Sequence, residues 1–323
     1  MAAPRRSRRD HCPPLFSLLT MSEGSFAPDS FENLSGFRNS LRSAAKDLRR
    51  DLPWICVDDP WAIFVSEVML QQTSTRRVTE PWRRFLDAFP SAQHCAEAPL
   101  ADVLKLWSGL GYPRRAKSLH EAARQMVSRF DAHVPSSVED LLSLPGVGPY
   151  TAHAVASFAF GVPVAILDTN VGRILARALA GRALVTREAQ GLATALLPRR
   201  YSAEFNQAML DLGAQYCTRR PRCATCPVRG ACRFAKEGGD DPAPLSAAVS
   251  RPQTPFAGSD RQVRGLVLKA LHTRALTRRS LVAKLADIDA ARLKRLLQNL
   301  ENEGLISIEG SRVQLGGGGE AGG

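Results

Sequence analysis

The sequence lacks any apolar run approaching the length of about 20 residues that a membrane-spanning helix needs. Its first twenty residues are basic, but the apolar segment LFSLL is too short for the hydrophobic region of a secretory signal. We interpret residues 1–30 as a disordered basic arm, within which Met21 offers a second start of translation. These absences predict a cytoplasmic protein, associated with the nucleoid if it is bacterial, that has no membrane partner.

Long alternating runs of β-branched residues and internal repeats are also missing, which argues against a β-rich or repeat architecture. Residues 31–235 instead read as successive amphipathic helices. The segment RRVTEPWRRFLDAFP shows the pattern, because its apolar residues recur at helical spacing; they are Val78, Trp82, Phe85, Leu86 and Phe89. We therefore expect an all-α first domain.

The composition changes after this domain. Residues 236–258 are rich in Pro, Gly, Asp and Ser, which predicts a linker. Residues 259–315 predict three helices and two short strands around Glu309 and Gly310, the order of a winged helix. The third helix carries Arg292, Lys294 and Arg295, which indicates DNA contact, whereas the alternative is a small packing or dimerisation module. Residues 316–323 predict a flexible tail.

Acidic residues are fewer than basic ones. Lys and Arg number 43 and Asp and Glu number 31, which gives a net charge of +12 and a pI of about 9.9. This balance favours a polyanionic partner, nucleic acid first, although a solvated basic surface is the simpler alternative.

Four of the seven cysteines lie within sixteen residues; they are Cys217, Cys223, Cys226 and Cys232. In a reducing compartment such a cluster indicates metal rather than disulfides. A single close pair flanked by outlying cysteines suits a cubane-type iron–sulfur cluster better than structural zinc, which usually takes two close pairs. The loop also carries four arginines, which predict a basic surface: Arg219, Arg220, Arg222 and Arg229. We interpret the remaining three, Cys12, Cys56 and Cys95, as ordinary thiols.

The stretch LPGVGPYTAHAV contains a glycine hairpin at the start of a helix. Backbone amides around Gly146, Val147 and Gly148 can converge there and bind a phosphate with help from the helix dipole. A tight turn between two helices is the alternative. Tyr150 follows in the first turn of the helix.

Two carboxylic residues, Glu67 and Asp168, lie in sequence contexts that suggest catalytic roles. Glu67 lies among apolar residues, where burial disfavours the charged form and predicts a raised pKa, as a general acid requires. Gln71 and Gln72 follow it with amides able to bond base edges. Asp168 ends an apolar run just before a helix. The alternative is that Asp168, Thr169 or Asn170 is simply the N-cap of that helix.

Five motifs occur in order between about Leu52 and Cys232: SEVMLQQT, LPGVGPYTA, ILDTNV, FNQAMLDLGA and the cysteine cluster. Together they resemble those of the adenine DNA glycosylases, the MutY type of the helix-hairpin-helix superfamily that also contains endonuclease III. The resemblance implies an all-α helix-hairpin-helix glycosylase fold with an iron–sulfur cluster loop, here followed by the small winged-helix-like domain. It further implies one [4Fe-4S] cluster on the four clustered cysteines, a mismatched double-stranded DNA partner and a monomer.

The resemblance also implies catalytic roles. Glu67 matches the acid that protonates the adenine, and Asp168 matches the carboxylate that stabilises the positively charged sugar. Tyr150 stands where superfamily members that also cut the backbone carry a lysine for a Schiff base. We therefore expect base removal with weak strand cleavage at most.

For DNA contact, Gln71 and Gln72 match a loop that enters the space vacated by the flipped base. Tyr112 in GLGYPRR matches an aromatic residue that wedges beside the opposite base, although a packing role at a helix start is the alternative.

Three features depart from the family. Five residues separate Cys217 from Cys223 where six are usual, so the loop can be reshaped. The base-pocket candidates are Trp54 and Gln207. Ile55 follows Trp54 where relatives often carry a polar residue, which makes Gln207 the more important hydrogen-bonding candidate. The usual domain that inspects 8-oxoguanine is absent, and the winged-helix-like segment stands in its place.

Three hypotheses follow. The first is a monofunctional glycosylase that removes adenine opposite guanine or 8-oxoguanine. The second keeps the mechanism but changes the base to uracil, thymine or hypoxanthine, because of Ile55 and the missing inspection domain. The third is a non-catalytic iron–sulfur DNA-binding protein, against which the presence of both Glu67 and Asp168 argues.

Overall fold

A computed structural model describes residues 34–249 and 255–316. The predicted arm, Cys12 and the predicted tail beyond Gly316 lie outside these residues. Within them, no helix is both long and apolar enough to cross a membrane.

The described residues are mostly helical, as the periodicity predicts. In chain order the α-helices are α1 (Leu34–Leu48), α2 (Pro60–Leu70), α3 (Thr75–Ala88), α4 (Ala92–Glu97), α5 (Leu100–Leu106), α6 (Arg114–Arg129), α7 (Val138–Ser143), α8 (Pro149–Phe160), α9 (Thr169–Ile174), α10 (Thr186–Leu196), α11 (Ser202–Gln215), α12 (Arg233–Glu237), α13 (Asp260–Ala270), α14 (Arg278–Lys284) and α15 (Ala290–Asn302). Helix α9 continues as a π-helix over Leu175–Ala180, and short 3₁₀ turns cover Cys223–Thr225, Arg229–Ala231 and Ala243–Leu245. The strands are β1 (Leu276–Thr277), β2 (Ile306–Glu309) and β3 (Arg312–Leu315).

The chain divides into two compact units. Unit 1 takes the described residues within Met1–Asp58 and Ala156–Arg251, and unit 2 takes those within Asp59–Val155 and Pro252–Gly323. In unit 1, helix α1 packs on α11 and α11 packs on α9 around a core of apolar side chains. Gln215 ties the first pair together, because its Nε2 atom donates to Leu48 O over 2.5 Å.

Part of the predicted linker is folded against the rest of unit 1. Ala243 is 1 % exposed, and Ala247 N donates to Leu184 O over 2.7 Å. Asp241 pairs with the buried Arg177 at 2.6 Å. Residues 241–247 are therefore held by a buried ion pair and a backbone bond.

In unit 2, two tryptophans fix α2 from both sides. The indole of Trp61 donates to Phe89 O over 2.9 Å, and that of Trp82 on α3 donates to Ala62 O over 2.9 Å. Both rings are buried, and these bonds satisfy the single N–H donor of each indole within the core. These bonds place α2, and with it Glu67.

The C-terminal elements of unit 2 have the predicted three helices and a β-hairpin. Strand β3 pairs antiparallel with β2, for example Ile308 with Val313, and also with the two-residue strand β1, so the sheet order is β1-β3-β2. The apolar stripe of α15 is buried, as its helical spacing predicts; its members are Leu293, Leu296, Leu297 and Leu300. We call the segment from α13 to β3 the C-terminal module.

Candidate functional site

Glu67 lies on α2, a helix whose residues are buried from Trp61 to Met69. Pro60 begins the helix and the side chain of Asp59 caps it by accepting from Trp61 N. Glu67 itself is 4 % exposed. A buried carboxyl group can act as a general acid when it carries its proton, which is the role that the motif implies for Glu67.

The loop after α2 is bonded to the glycine hairpin. Gln71 Nε2 donates to Gly146 O over 3.2 Å and to Thr151 Oγ1 over 3.0 Å. The adjacent Gln72 is exposed and takes a positive φ of 56°. The structure thus brings together two predicted DNA-contact motifs, the glutamine pair and the hairpin.

The hairpin lies between α7 and α8, and its three residues differ in role. Gly146 has a φ of +76°, and a Cβ there would lie 2.6 Å from Ser118 Cβ, so the position requires glycine. Val147 is buried and anchors the turn. Gly148 is exposed, and a Cβ added at this position would meet no atom within 4 Å. The backbone at the start of α8 is therefore open to a ligand, and Tyr150 lies half-buried in the first turn.

Tyr112 lies just before α6 in a loop with left-handed backbone, its own φ being +47°. Arg115 holds this loop: its guanidinium lies 5.5 Å from the Tyr112 ring centroid and donates to Gly111 O over 3.1 Å. The same guanidinium donates to Val68 O and Met69 O at the end of α2. Burial lowers the pKa of Arg115 to about 10, which leaves it charged at neutral pH. One arginine therefore links the Glu67 helix to the Tyr112 loop.

In unit 1, Asp168 caps α9, the alternative that the sequence left open. Its Oδ1 atom accepts from Val171 N over 2.8 Å, and its Oδ2 atom accepts from Asn170 Nδ2 over 2.7 Å. Burial raises the pKa of Asp168, and the bonds from these two residues with the charge of Arg173 offset the rise only in part. A cap fixes the orientation of the carboxylate, so it is compatible with an electrostatic role.

A hydrogen-bonded chain runs from Asp168 to the cysteine loop. Arg173 Nη2 donates to Asn170 Oδ1 over 2.7 Å, and its Nε donates to Cys217 O over 2.7 Å. The carboxylate and the first cysteine are thus joined through two side chains.

The four clustered cysteines line one cavity with about 380 Å³ of empty space, part of it open to solvent. In the described part of the chain, no three His, Cys, Asp or Glu side chains group closely enough for a single metal ion. Four thiols that line one cavity are the donor type that iron–sulfur clusters take. Burial raises the pKa of Cys217 and brings that of Cys226 to about 11, so ionised thiols there need a cationic group among them. The donor set therefore fits an iron–sulfur cluster.

Arginines surround this loop in two ways. Arg177 is buried, donates to Cys217 Sγ at 3.4 Å and pairs with Asp241. The four arginines of the loop itself are all exposed, as the sequence predicted; they are Arg219, Arg220, Arg222 and Arg229. The loop therefore presents a positive surface while one guanidinium supports it from inside.

The two residues predicted for the base pocket also lie in unit 1. Trp54 is buried in the turn before α2. Gln207 on α11 donates to Asp211 Oδ1 over 3.0 Å, an atom that also accepts from Arg50 Nε over 2.5 Å. Burial raises the pKa of Asp211 while Arg50 and Gln207 lower it.

Four residues that organise these motifs were not predicted as site residues: Asn170, Arg173, Arg115 and Arg261. Arg261 on α13 donates to the Tyr112 hydroxyl oxygen over 3.1 Å across 149 positions of sequence. The only available signal was proximity to a motif, since Arg115 belongs to GLGYPRR and Asn170 to ILDTNV.

Comparison with known proteins gives a consistent result. Residues 65–193 match the model of the HhH-GPD superfamily of base excision DNA repair proteins. The chain is 43% identical over 283 residues to the adenine DNA glycosylase of Mycolicibacterium smegmatis, covering 85% of this chain and 94% of that one. It is 41% identical over 215 residues to the human adenine DNA glycosylase, covering 62% of this chain and 39% of that one.

Two solved structures share the fold. A thermostable thymine-DNA glycosylase superposes with a TM-score of 0.59 at 26% identity, covering 64% of this chain and 98% of that chain. Endonuclease III in a non-covalent DNA complex superposes with a TM-score of 0.55 at 23% identity, covering 63% of this chain and 97% of that chain.

Proposed function

The chain belongs to the adenine DNA glycosylases of the HhH-GPD superfamily, base excision repair enzymes that act on adenine, and from that premise we propose that its substrate is adenine mispaired with guanine or 8-oxoguanine in duplex DNA. It acts as a monomer and leaves an abasic site. The observation that carries the chemistry is the carboxyl group of Glu67, 4 % exposed on an apolar helix within the matched region.

Glu67 is the general acid. As the glycosidic bond breaks, its proton passes to a ring nitrogen of adenine, and the bonding electron pair leaves with the base. Protonation makes the base a neutral leaving group instead of an anion.

Asp168 stabilises the positive charge that develops on the sugar. Its carboxylate is oriented by Val171 N and by Asn170, so no reorientation is needed when the charge appears. A water molecule then adds its hydroxyl to the anomeric carbon and releases a proton. The products are free adenine and an abasic site.

The remaining motifs of unit 2 hold the DNA. The open backbone at Gly148 and the start of α8 bind a phosphate without reading a base. The adenine is flipped out of the duplex, Gln71 and Gln72 fill the space it leaves, and Tyr112 lies beside the opposite base. In unit 1, Trp54 and Gln207 contact the flipped base.

The four cysteines of the loop hold one [4Fe-4S] cluster. When bound, the cluster would crosslink the loop and offset part of the negative charge of its thiolates, which would fix the exposed arginines for phosphate contact. No proton or bond of the hydrolysis passes through it.

Single-turnover base release from end-labelled duplexes tests the proposal. Adenine is paired with guanine, 8-oxoguanine, cytosine or thymine, and each product is read with and without alkali. We expect strand breaks from the adenine duplexes only after alkali. Glu67→Gln keeps the shape of the side chain but removes the acidic proton, so it should abolish release while leaving duplex binding within about twofold. Normal turnover by this variant would remove Glu67 from the mechanism.

Ile55 favours a second candidate, the same chemistry on another base, because an apolar side chain beside Trp54 offers no hydrogen bond to adenine. Duplexes with mispaired uracil, thymine or hypoxanthine are therefore included in the panel. Release of one of these bases in place of adenine would transfer the function to this candidate. Binding to every duplex without release of any base would leave a non-catalytic DNA-binding protein.

A further inference from the structure

The C-terminal module is attached to α6 by ion pairs and a hydrogen bond that all involve one residue. Glu303, at the end of α15, accepts from Arg264 on α13 and pairs with Arg114 at 2.8 Å. Its backbone oxygen also accepts from Lys117 Nζ over 2.8 Å. Burial opposes ionisation of Glu303, but the bonds from the two arginines outweigh it, so its pKa lies below the ordinary range. The module is thus fixed to the first turn of α6.

The first turn of α6 directly follows Tyr112, and a residue of the C-terminal module contacts Tyr112 itself. Arg261 lies one helical turn before Arg264, so both project from the same face of α13. Arg261 Nη1 donates to the Tyr112 hydroxyl oxygen over 3.1 Å, while Arg115 lies over the ring of the same tyrosine. The ring and the hydroxyl of Tyr112 are therefore held by two different arginines, one from α6 and one from the module.

The helix of the module that was predicted to contact DNA, α15, forms ion pairs within the module. Arg292 and Arg295 on α15 pair with Asp260 on α13 at 2.7 Å and 2.9 Å. Arg292 Nη2 also donates to Gly258 O over 2.7 Å. Two of the three cations that suggested base contact by this helix instead fix the start of α13, the helix that carries Arg261.

We propose that the C-terminal module acts through Arg261, a positioning residue that sets the pose of Tyr112 and thereby determines how strongly the enzyme prefers one opposite base over another. This inference rests on the proposed function, in which Tyr112 lies beside the opposite base. The backbone of Tyr112 is left-handed and costs conformational energy, so its pose depends on contacts that hold it. A guanidinium is suited to the task because its planar donors fix a direction.

The inference predicts coupling between two atoms, which a double-mutant cycle measures. Arg261→Met removes the donors and keeps the length of the side chain, and Tyr112→Phe removes only the hydroxyl. Full-length holoenzyme is assayed for single-turnover adenine release opposite 8-oxoguanine and opposite guanine. We expect each single variant to reduce the ratio of the two rates about five- to tenfold, and the double variant to be no worse than either.

Two further variants and one spectroscopic signal separate positioning from general damage. Arg261→Lys retains a donor and should restore part of the lost preference. Lys269→Met changes an exposed cation on the same helix and should leave the ratio unchanged. In the Arg261→Met complex, 2-aminopurine placed next to the opposite base should fluoresce more strongly, because Tyr112 no longer stacks in a fixed pose.

The outcomes are distinct. Wild-type preference in Arg261→Met, or additive effects in the double variant, would overturn the inference while the proposed function stands. Absence of adenine release from the wild-type holoenzyme on every duplex would instead overturn the proposed function.

Discussion

The side chain of Asn170 donates to Asp168 Oδ2 over 2.7 Å and accepts from Arg173 over 2.7 Å. The carboxylate proposed to stabilise the sugar cation is therefore the end of a bonded chain that begins at Cys217 O. Each link has a direction, since a guanidinium can only donate and an amide does both. The arrangement orients Asp168, and the bond from Asn170 offsets part of the rise in the pKa of Asp168 that burial causes.

We expect Asn170→Ala to move the acid limb of the rate–pH profile to higher pH. Burial already raises the pKa of Asp168, and the amide of Asn170 is one of the groups that lower it again. Without that donor the pKa rises further, so the active carboxylate is lost earlier as the pH falls. Single-turnover release measured across the acid range checks the shift.

The control for this variant is Asn302→Ala at an exposed position on the C-terminal module. It should leave the acid limb where it is in the wild type. An acid limb that stays in place for Asn170→Ala, with release otherwise normal, would contradict the role of the Asn170–Asp168 bond.

Gly213 tests how closely α11 approaches α9. A Cβ at this helical position would lie 2.5 Å from Asn170 Cβ and 3.0 Å from its Cα, and a backbone atom cannot move aside cheaply. Gly213→Ala should therefore lower the free energy of unfolding by about 1–3 kcal/mol, as overpacking usually does. Chemical denaturation of the holoprotein measures the loss.

Gly265→Ala is the matched comparison, since Gly265 is also helical but exposed, with nothing within 4 Å. There the lower backbone entropy of the unfolded chain should increase stability by about 0.5–1 kcal/mol. Equal effects of the two substitutions would show that helix propensity, rather than the close approach to Asn170, governs Gly213.

Asp241→Asn removes the partner of the buried Arg177, whose side chain is 2 % exposed. An uncompensated buried charge is costly, so we expect the free energy of unfolding to fall by about 3 kcal/mol, with faster loss of cluster absorbance. The exposed pair of Arg233 and Glu237 provides the control, and Glu237→Gln should change stability by less than about 1 kcal/mol.

The contribution of the Arg177–Asp241 pair to stability depends on pH in a predictable way. The bond from Arg177 lowers the pKa of Asp241, so its contribution to stability is complete above the ordinary carboxyl pKa and is lost as the pH falls through the lowered value. The stability difference between wild type and Asp241→Asn should therefore shrink in strong acid. A difference that stays constant down to the lowest accessible pH would assign the effect to packing instead of charge.

The helical framework could be predicted because periodicity reports which side of a segment is buried. Val78, Trp82 and Phe85 on α3 are buried at the spacing that the sequence shows. The hairpin of β2 and β3 follows in the same way from its short apolar runs. Strand β1 was missed because two residues have no period, and the π-helix that continues α9 was missed because its register differs from that of an α-helix only over one or two turns.

The polar connections could not be predicted, for a different physical reason. A sequence pattern shows which way Arg261 or Arg173 faces, but not which acceptor lies opposite it after folding. Glu67 and Asp168 were predicted as catalytic residues because their motifs resemble a family, and the residue pattern alone gave only a buried acid and a helix cap. The basic residues of α15 show this limit of sequence patterns. Two of them, Arg292 and Arg295, were predicted to contact DNA, but both pair with Asp260.

Tyr150→Lys should convert base removal into base removal with strand cleavage. Tyr150 lies half-buried in the first turn of α8, and the positive end of a helix lowers the pKa of an amine placed there, which leaves more of it neutral and nucleophilic. After adenine leaves, the amine condenses with the sugar aldehyde, water departs, and the resulting imine allows elimination of the adjacent phosphate. Borohydride reduces the imine to a stable amine, so the variant should give a covalent protein–DNA band and strand breaks without alkali. Tyr150→Met has similar length but no amine and should give neither. Adenine release by Tyr150→Lys with no trapped band would mean that position 150 does not reach the sugar, and the assignment of Tyr150 to the site would then be wrong.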